Sequence, residues 1–381
     1  MSALRSEDGI LANGFTARQI AASLTPKFQE LILLPTEQCN FRCTYCYEDF
    51  LLGRMSERTQ RGIERLLDRR VPTLESLRFS WFGGEPLAAK DIVLRLSRYA
   101  TSLAAAHGVK FTGGLTTNAY SLDQALFRDL LACNQNFFQI TLDGLGEVHD
   151  EVRRLANGRG TFDRIWANLL AMKAVEEPFE ILLRIHVRRE NIENLTLLME
   201  RLGDAFGDDD RFRLDFEHLR NLGGTGGVSV KNPLSLDELW PIDERLRQVF
   251  TSRRSAPLEN PIRSIETDRA RAVAKMQGES AGGQRAEDLA AGGNYICYAS
   301  RANSLLVRSN GRIGKCTVAL NDSRNDIGKL LEDGTVEIDH DKLRPWLRGL
   351  SDLSPDVLGC PLATLPWPQA EPTRRLQAQE G

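Results

Sequence analysis

Residues 31–46 read Leu-Ile-Leu-Leu-Pro-Thr-Glu-Gln-Cys-Asn-Phe-Arg-Cys-Thr-Tyr-Cys. The apolar run at 31–34 predicts a buried strand, and this strand leads directly into a loop that carries three cysteines. Cys39, Cys43 and Cys46 stand in the spacing CxxxCxxC. Three thiolates this close can hold three irons of a 4Fe–4S cluster and leave its fourth iron without a protein ligand. An open iron can bind and reduce a small molecule, whereas a fully ligated cluster mainly passes electrons.

Structural zinc and a redox disulfide are the alternatives for these three cysteines. Zinc ribbons use CxxC pairs and need a fourth ligand, and no histidine lies close to residues 39–46 in the sequence. The spacing therefore favours an iron–sulfur cluster over both alternatives.

Further motifs follow the cysteines in a fixed order. They are Gly83-Gly84-Glu85-Pro86, Thr117-Asn118, Leu142-Asp143-Gly144, His149-Asp-Glu-Val-Arg153 and Gly160-Thr-Phe-Asp163. Together with Tyr45 before the third cysteine, this set resembles the radical S-adenosylmethionine (SAM) superfamily, and within it the peptide-modifying branch. The resemblance spans about residues 28–220. Each motif alone would be weak, but the order and the spacing make the resemblance specific.

The resemblance implies a particular chemistry for the cysteine loop. A 4Fe–4S cluster on Cys39, Cys43 and Cys46 would bind the amino acid part of SAM at its open iron. Reductive cleavage would then give methionine and a 5′-deoxyadenosyl radical, which abstracts a hydrogen from the substrate. The cofactor carries this chemistry, while the protein binds, orients and excludes water.

The motifs also imply groups that would bind SAM. Backbone groups at Gly83 and Gly84, with the Glu85 carboxylate, suit the methionine ammonium, since charge-assisted hydrogen bonds can hold a cation there. The other implied SAM contacts are Arg153 to the methionine carboxylate, Thr117 and Asn118 to the ribose, and Tyr45 to the adenine. The structural alternatives are a simple Gly-Gly turn, a place for Glu85 beside a helix N-cap, and a solvated face for Arg153.

Three residues at late strand ends are the candidates for contact with the substrate. They are Asp143, Glu217 and His218, with His186 nearby. Asp143 can instead cap the turn that follows it, and a histidine in such a place is often a hydrogen-bonded structural residue.

Strand and helix patterns alternate six times along the first part of the chain. Strands are predicted near 31–35, 77–81, 109–116, 137–142, 180–187 and 212–216, with helices near 56–68, 90–106, 122–132, 162–175 and 192–202. This alternation predicts an α/β fold with a parallel sheet and external helices. Six units suit the partial (β/α)6 TIM-like barrel that is typical of the family, and active sites of such barrels lie at the carboxyl ends of the strands.

The sequence divides into four parts. Residues 1–27 form an N-terminal segment, 28–222 the barrel, 223–294 a linker helix and polar insert, and 295–381 a smaller C-terminal domain. The last part has Cys297, then Gly311-x4-Cys316, then Cys360, which resembles the opening of the SPASM or twitch extensions that bind auxiliary clusters. A full SPASM tail has several more cysteines. We therefore predict one auxiliary cluster, with a cluster-free domain as the alternative.

Composition narrows the class of protein. A net charge of −3 over 381 residues gives no sign of nonspecific nucleic-acid binding, and no apolar run is long enough to span a bilayer. Seven cysteines without an apparent export signal predict a reducing, cytoplasmic setting, where they are thiols or metal ligands.

The leading functional interpretation is a maturase of a ribosomally made precursor peptide, which forms a cross-link or another side-chain or backbone modification. It would need an electron donor such as flavodoxin or ferredoxin. A formylglycine-type sulfatase maturase is the runner-up, although that subfamily has Asp where this chain has Thr317. A small-molecule radical SAM enzyme remains a third option, and a cysteine-rich electron carrier or zinc scaffold is the non-enzymatic alternative.

Overall fold

A computed structural model describes residues 14–227, 229–255 and 295–365. Its strands are β1 (Phe28–Leu33), β2 (Ser76–Trp81), β3 (Lys110–Thr117), β4 (Gln135–Leu142), β5 (Glu180–Val187), β6 (Phe212–His218), β7 (Ser304–Val307), β8 (Arg312–Gly314), β9 (Gly328–Leu330) and β10 (Val336–Ile338). Its helices are α1 (Ala17–Leu24), α2 (Glu57–Arg70), α3 (Lys90–Ala106), α4 (Gln124–Leu131), α5 (Glu147–Val152), α6 (Phe162–Lys173), α7 (Ile192–Phe206), α8 (Gly224–Gly227), α9 (Leu236–Thr251), α10 (His340–Leu347), α11 (Gly349–Asp352) and α12 (Pro355–Gly359).

Strands β1 to β6 pair in sequence order, and every one of these pairs is parallel. Helices α2, α3, α4, α6 and α7 connect consecutive strands along the chain. The predicted α/β class and the partial (β/α)6 barrel are therefore confirmed. Because all six strands run the same way, the loops that follow them meet at one end of the barrel.

Local sequence explains where the elements begin and how they pack. Ser56 caps α2 by accepting a hydrogen bond from Thr59 N, and Asp123 caps α4 by accepting one from Leu126 N. The end of β1 is buried on both faces, as expected for a strand inside a parallel sheet covered by helices. Most buried apolar side chains of the strands and helices form one large core, and Phe15, Ile296 and Leu358 form a second, small cluster.

The C-terminal region continues the sheet of the barrel. Strand β7 pairs in parallel with β1, and β8, β9 and β10 follow in antiparallel order, so the described strands form one ten-stranded sheet. The sheet thus crosses the predicted boundary at residue 295, and the four-part division stays a prediction. Of the predicted linker and insert, α9 matches the expected helix at 235–252, while 256–294 lies outside the described residues.

A buried ion pair joins the cysteine loop to this C-terminal region. Arg308, directly after β7, donates from Nε to Glu37 Oε1 at 2.9 Å and from Nη2 to Glu37 Oε2 at 2.6 Å. The side chains are only 8% and 4% exposed. Arg308 also donates to the carbonyl oxygen of Leu320. The guanidinium therefore fixes the chain two residues before Cys39.

None of the helices in the described part of the chain combines the length and the apolar composition needed to cross a bilayer.

Replacing Arg308 by Met should destabilise the protein because it leaves Glu37 as a buried, unpaired carboxylate. We expect the free energy of unfolding, measured by chemical denaturation, to fall by about 3–5 kcal/mol. Arg312→Met is the matched control, because Arg312 is 55% exposed and stands 3.6 Å from Asp326. That variant should lose less than about 1 kcal/mol. Equal losses in the two variants would contradict the structural role of the buried pair.

Candidate active site

A cavity of about 730 Å³ runs through the interior of the barrel and reaches the loops that follow the strands. The predicted site residues that line it are Cys39, Cys43, Tyr45, Cys46, Gly84, Glu85, Thr117, Asn118, Arg153, Glu217 and His218. Tyr298 and Thr317 of the C-terminal region line it as well. The structure therefore brings most of the sequence-predicted site residues, and His186 with them, to one cavity. Gly83, Asp143 and the three C-terminal cysteines are not among the residues that line it.

The cysteine loop is held in place by its backbone. Arg42 N donates to the Arg154 carbonyl oxygen at 2.8 Å, and Thr44 N donates to the Val152 carbonyl oxygen at 3.0 Å. The three cysteines are free thiols and only partly exposed. Burial raises the pKa of all three thiols, and that of Cys46 to about 12. Thiolates here need a positive partner, and a metal cluster is one that binds thiolates directly.

The three thiols of the cysteine loop suit an iron–sulfur cluster better than a single metal ion. Within the described residues, no three His, Cys, Asp or Glu side chains are arranged around one point for a single metal ion. In a 4Fe–4S cluster each thiolate binds a different iron, so the three sulfurs do not have to converge on one point. Three partly exposed thiols on one short loop, facing a cavity, fit that requirement.

The two glycines of the Gly83-Gly84-Glu85-Pro86 loop are required by its shape. Both have positive φ angles, +81° at Gly83 and +48° at Gly84. A Cβ at Gly84 would stand 2.3 Å from the carbonyl oxygen of Gln38, so the loop packs backbone to backbone against the chain before Cys39. Only glycine permits both the conformation and the close approach.

Glu85 is buried and braces two strand ends. Its carboxylate accepts hydrogen bonds from Thr117 Oγ1 at 2.7 Å, from Asn118 N at 2.7 Å and from Leu87 N at 2.9 Å. Burial raises the pKa of Glu85, and these three donors oppose that change. Glu85 therefore also has the capping role that the sequence left open, since it precedes the short 3₁₀ turn at Pro86–Ala89.

Glu48 is a site residue that the sequence reasoning missed. Its Oε2 accepts a hydrogen bond from Gly84 N at 2.7 Å, and the side chain lines the cavity. Burial, with the nearby carboxylates of Glu37 and Glu85, raises the pKa of Glu48 to about 7. No motif in the sequence pointed to this residue. The only available signal was its place two residues after Cys46.

Tyr45, Asp143, Arg153 and His186 form one polar network. The Tyr45 hydroxyl donates to Asp143 and accepts from Arg153 Nη1 at 2.8 Å. His186 Nδ1 lies 3.0 Å from Tyr45 Oη and 3.0 Å from Asp143 Oδ1. Arg153 is buried, so it does not belong to a solvated face. Burial favours a neutral Asp143, but His186 and Arg153 outweigh it and lower the pKa of Asp143.

Glu217 and His218 end β6 and contribute to the cavity wall. Glu217 lies 3.4 Å from Arg220, which also lines the cavity. Deeper in the barrel, Arg184 of β5 pairs with Asp215 of β6 at 2.9 Å. Strands β5 and β6 therefore place both positive and negative side chains on the cavity wall.

The three C-terminal cysteines lie near one another. Cys297 and Cys316 are buried, and Cys360 is partly exposed. Burial raises the pKa of the Cys297 thiol, and the adjacent Cys316 and Cys360 raise it further. Next to Cys316, Thr317 N donates to the Tyr298 hydroxyl oxygen at 3.0 Å, and the two hydroxyl oxygens are 2.8 Å apart. Both of these side chains also line the cavity.

The fold and the motif-bearing loops define a radical SAM domain, and comparison with known families agrees. Residues 33–202 match the family model described as the Radical SAM superfamily. This part of the chain is therefore a radical SAM domain.

Two curated proteins illustrate the likeness in sequence. The Fe-coproporphyrin III synthase of Methanosarcina barkeri is 26% identical over 208 residues, which are 53% of this chain and 47% of that protein. The cysteine-type anaerobic sulfatase-maturating enzyme of Clostridium novyi is 28% identical over 166 residues, which are 40% of this chain and 42% of that protein. The chain thus spans about half the length, or less, of these curated relatives.

A solved structure shares the fold. The crystal structure of Streptococcus suis SuiB bound to precursor peptide SuiA matches with a TM-score of 0.55 at 18% identity. The match covers 87% of this chain and 71% of that chain.

His149 in α5 should make the stability of the protein depend on pH. It is fully buried, and its Nδ1 accepts a hydrogen bond from Asp143 N at 3.2 Å. Burial, and then the charge of Arg153, lowers its pKa from 6.5 to about 4. The folded state therefore holds a neutral imidazole, whereas the unfolded chain takes up a proton below its ordinary pKa. The contribution is present above pH 6.5 and is lost as the pH falls towards 4.

We expect the free energy of unfolding to fall on the order of 3 kcal/mol across this window because of His149. Denaturant titrations at several pH values measure it. His149→Gln should remove this dependence, so the slope of the profile should fall by about one proton across the window. Parallel profiles for the wild type and His149→Gln would contradict this assignment.

Proposed function

We propose that the protein cleaves SAM reductively and abstracts a hydrogen from a peptide substrate, most simply a ribosomally made precursor peptide. The observation that carries the proposal is the placement of the CxxxCxxC loop, the Gly-Gly-Glu-Pro loop and the Thr117-Asn118 strand end around one cavity. Cys39, Cys43 and Cys46 would hold a 4Fe–4S cluster. With SAM bound, that cluster supplies the 5′-deoxyadenosyl radical.

The residues around Gly84 would bind the ammonium group of SAM. Glu37, Glu48 and Glu85 surround this glycine, and Arg308 pairs with Glu37. A cation placed beside Glu48 and Glu85 would balance the excess negative charge through charge-assisted hydrogen bonds. Arg153 carries the opposite charge across the same cavity and would bind the methionine carboxylate, while Thr117, Asn118 and Tyr45 remain the candidates for the ribose and the adenine.

A peptide substrate is supported by the likeness to a structure bound to a precursor peptide. The cavity also extends to Glu217, His218 and the hydroxyls of Tyr298 and Thr317, which would orient a polar substrate group. Asp143 is tied to Tyr45 and His186, so its role would be to position that network. A flavodoxin or ferredoxin would supply the electron.

A sulfatase maturase is the second candidate, because a curated relative has that activity in its name. Thr317 after Cys316, where that subfamily has Asp, favours the first candidate. The two are separated by offering a precursor peptide and a sulfatase-derived peptide to the same enzyme and analysing the products by mass spectrometry.

Removing the first set of cysteines tests the proposed function. In the variant Cys39→Ala/Cys43→Ala/Cys46→Ala, we expect no 5′-deoxyadenosine from SAM under anaerobic, reducing conditions, because no open iron is held there. Cys133→Ala is the matched control, since Cys133 is a buried thiol that lies outside both cysteine sets. Undiminished cleavage in the triple variant would overturn the proposed function.

The iron content of the same variant tests the second set. If Cys297, Cys316 and Cys360 hold an auxiliary cluster, the wild type binds about eight irons and the triple variant keeps about four, since each cubane contains four. An iron-free triple variant after reconstitution would make the C-terminal region a cluster-free platform for the substrate.

The carboxylates beside Gly84 should respond differently to neutralisation. Glu48→Gln should weaken SAM binding about ten- to a hundred-fold by calorimetry, because one charge-assisted hydrogen bond contributes roughly 1.5–3 kcal/mol. The stability of Glu48→Gln should hardly change, since Gln still accepts the hydrogen bond from Gly84 N.

Glu85→Gln should weaken SAM binding and also lower the free energy of unfolding by about 1–3 kcal/mol, because the backbone and side-chain donors at the strand ends lose one acceptor oxygen. An unchanged dissociation constant in Glu48→Gln would remove Glu48 from the site.

A further inference from the structure

The chain that follows β6 returns to the cysteine loop and contacts its backbone. Gly226 N donates to the Cys46 carbonyl oxygen at 3.1 Å. Ser229 Oγ donates to the Thr44 carbonyl oxygen at 2.6 Å. We refer to Gly226 and Ser229 as the clasp. The turn at Thr44–Cys46 also donates a hydrogen bond from Thr44 N to the Val152 carbonyl oxygen. Two separate segments of the chain therefore hold the backbone of this turn.

The approach at Gly226 is too close for any side chain. A Cβ there would stand 2.4 Å from Cys46 O, 2.5 Å from Cys46 N and 2.8 Å from the carbonyl carbon of Tyr45. All three are backbone atoms, which cannot rotate away as the end of a side chain can. Gly226 is absent from the residues with positive φ. Its requirement for glycine therefore comes from the contact with the cysteine loop and not from its own backbone conformation.

We propose that the clasp is a positioning device for the third cluster cysteine. Gly226 and Ser229 fix the backbone of the Thr44–Cys46 turn, and this sets the direction of the Cys46 thiol towards the iron it would hold. The inference rests on the proposed function, because it presupposes that Cys46 is a cluster ligand. It also gives the glycine-rich stretch after β6, which the sequence predicts as a linker, a role in the site.

The same turn carries Tyr45, so the clasp acts on two parts of the site at once. A shift of the turn would move the Cys46 thiol and the Tyr45 hydroxyl, which Asp143 and Arg153 hold on the far side. Misplacing a reacting group by about 1 Å can lower a rate roughly 10²-fold. Small steric changes at Gly226 should therefore have large effects on the chemistry.

Two variants and a control test the clasp in the full-length protein. Gly226→Ala inserts a methyl group against Cys46, while Ser229→Ala removes one hydrogen bond and adds no bulk. Gly227→Ala is the matched control, because its Cβ would meet only the end of the Asn221 side chain at 2.5 Å, with the next atoms at 3.5 Å or more. Circular dichroism and thermal melts establish that each variant is folded.

The first readout needs no cluster. In metal-free protein, the rate at which iodoacetamide labels Cys46 is followed by mass spectrometry, with the partly exposed Cys39 as the internal reference. We expect at least about three-fold faster labelling of Cys46 in Gly226→Ala and Ser229→Ala, because thiol reactivity follows access, and no change in Gly227→Ala.

The second readout uses reconstituted protein. The electron paramagnetic resonance spectrum of the reduced cluster with SAM should change in Gly226→Ala, and 5′-deoxyadenosine formation should fall roughly 10²-fold. Gly227→Ala should match the wild type in both measurements.

The outcomes separate this inference from the proposed function. If Gly226→Ala shows the wild-type labelling rate of Cys46 and the wild-type spectrum, the clasp does not position Cys46. The proposed function would be unaffected by that result. A wild type that binds no cluster would overturn the proposed function, and the labelling would still decide whether the clasp holds the turn. If Gly226→Ala does not fold, Ser229→Ala decides, and wild-type labelling of Cys46 in that variant overturns the clasp.

Discussion

The buried ion pair between Glu37 and Arg308 is the interaction on which the arrangement of the site depends. It connects the residue two places before Cys39 to the residue directly after β7, at the junction of the barrel and the C-terminal region. Both side chains are almost fully buried, so neither can move without exposing an unpaired charge to a poorly solvated interior. The separation between the two sets of cysteines is therefore fixed by a contact that contains none of them.

The remaining contacts hold the cysteine loop against the neighbouring loops and strand ends. The Gly83-Gly84 turn packs against the chain before Cys39, Glu85 braces it to the end of β3, and Tyr45 joins the cysteine loop to the ends of β4 and β5. The contacts of Glu85 and Tyr45 are hydrogen bonds between a loop and residues at strand ends. A parallel barrel gathers these ends at one face, which explains how motifs distant in sequence form one cavity.

The sequence predicted the strand–helix alternation because buried parallel strands and amphipathic helices have distinct periods. It also predicted part of the cavity lining, since many of those residues lie at or just after strand ends. It could not reveal Glu48, whose importance depends on a hydrogen bond to Gly84, or the pairing of β7 with β1, which joins segments more than 250 residues apart. The pairing of Arg308 with Glu37 could not be predicted either, because nothing near Arg308 in the sequence indicates this partner. Long-range pairs of this kind depend on tertiary packing and leave no local pattern.

The proposed function depends on one claim, that a cluster on Cys39, Cys43 and Cys46 keeps one iron open for the amino acid part of SAM. Electron–nuclear double resonance on the reduced, reconstituted enzyme measures this directly, using SAM with ¹⁵N in its methionine amino group. We predict a ¹⁵N hyperfine coupling that replaces the ¹⁴N coupling of unlabelled SAM and is absent without SAM. Identical spectra with labelled and unlabelled SAM, from a sample in which SAM is bound and the cluster is reduced, would contradict the claim.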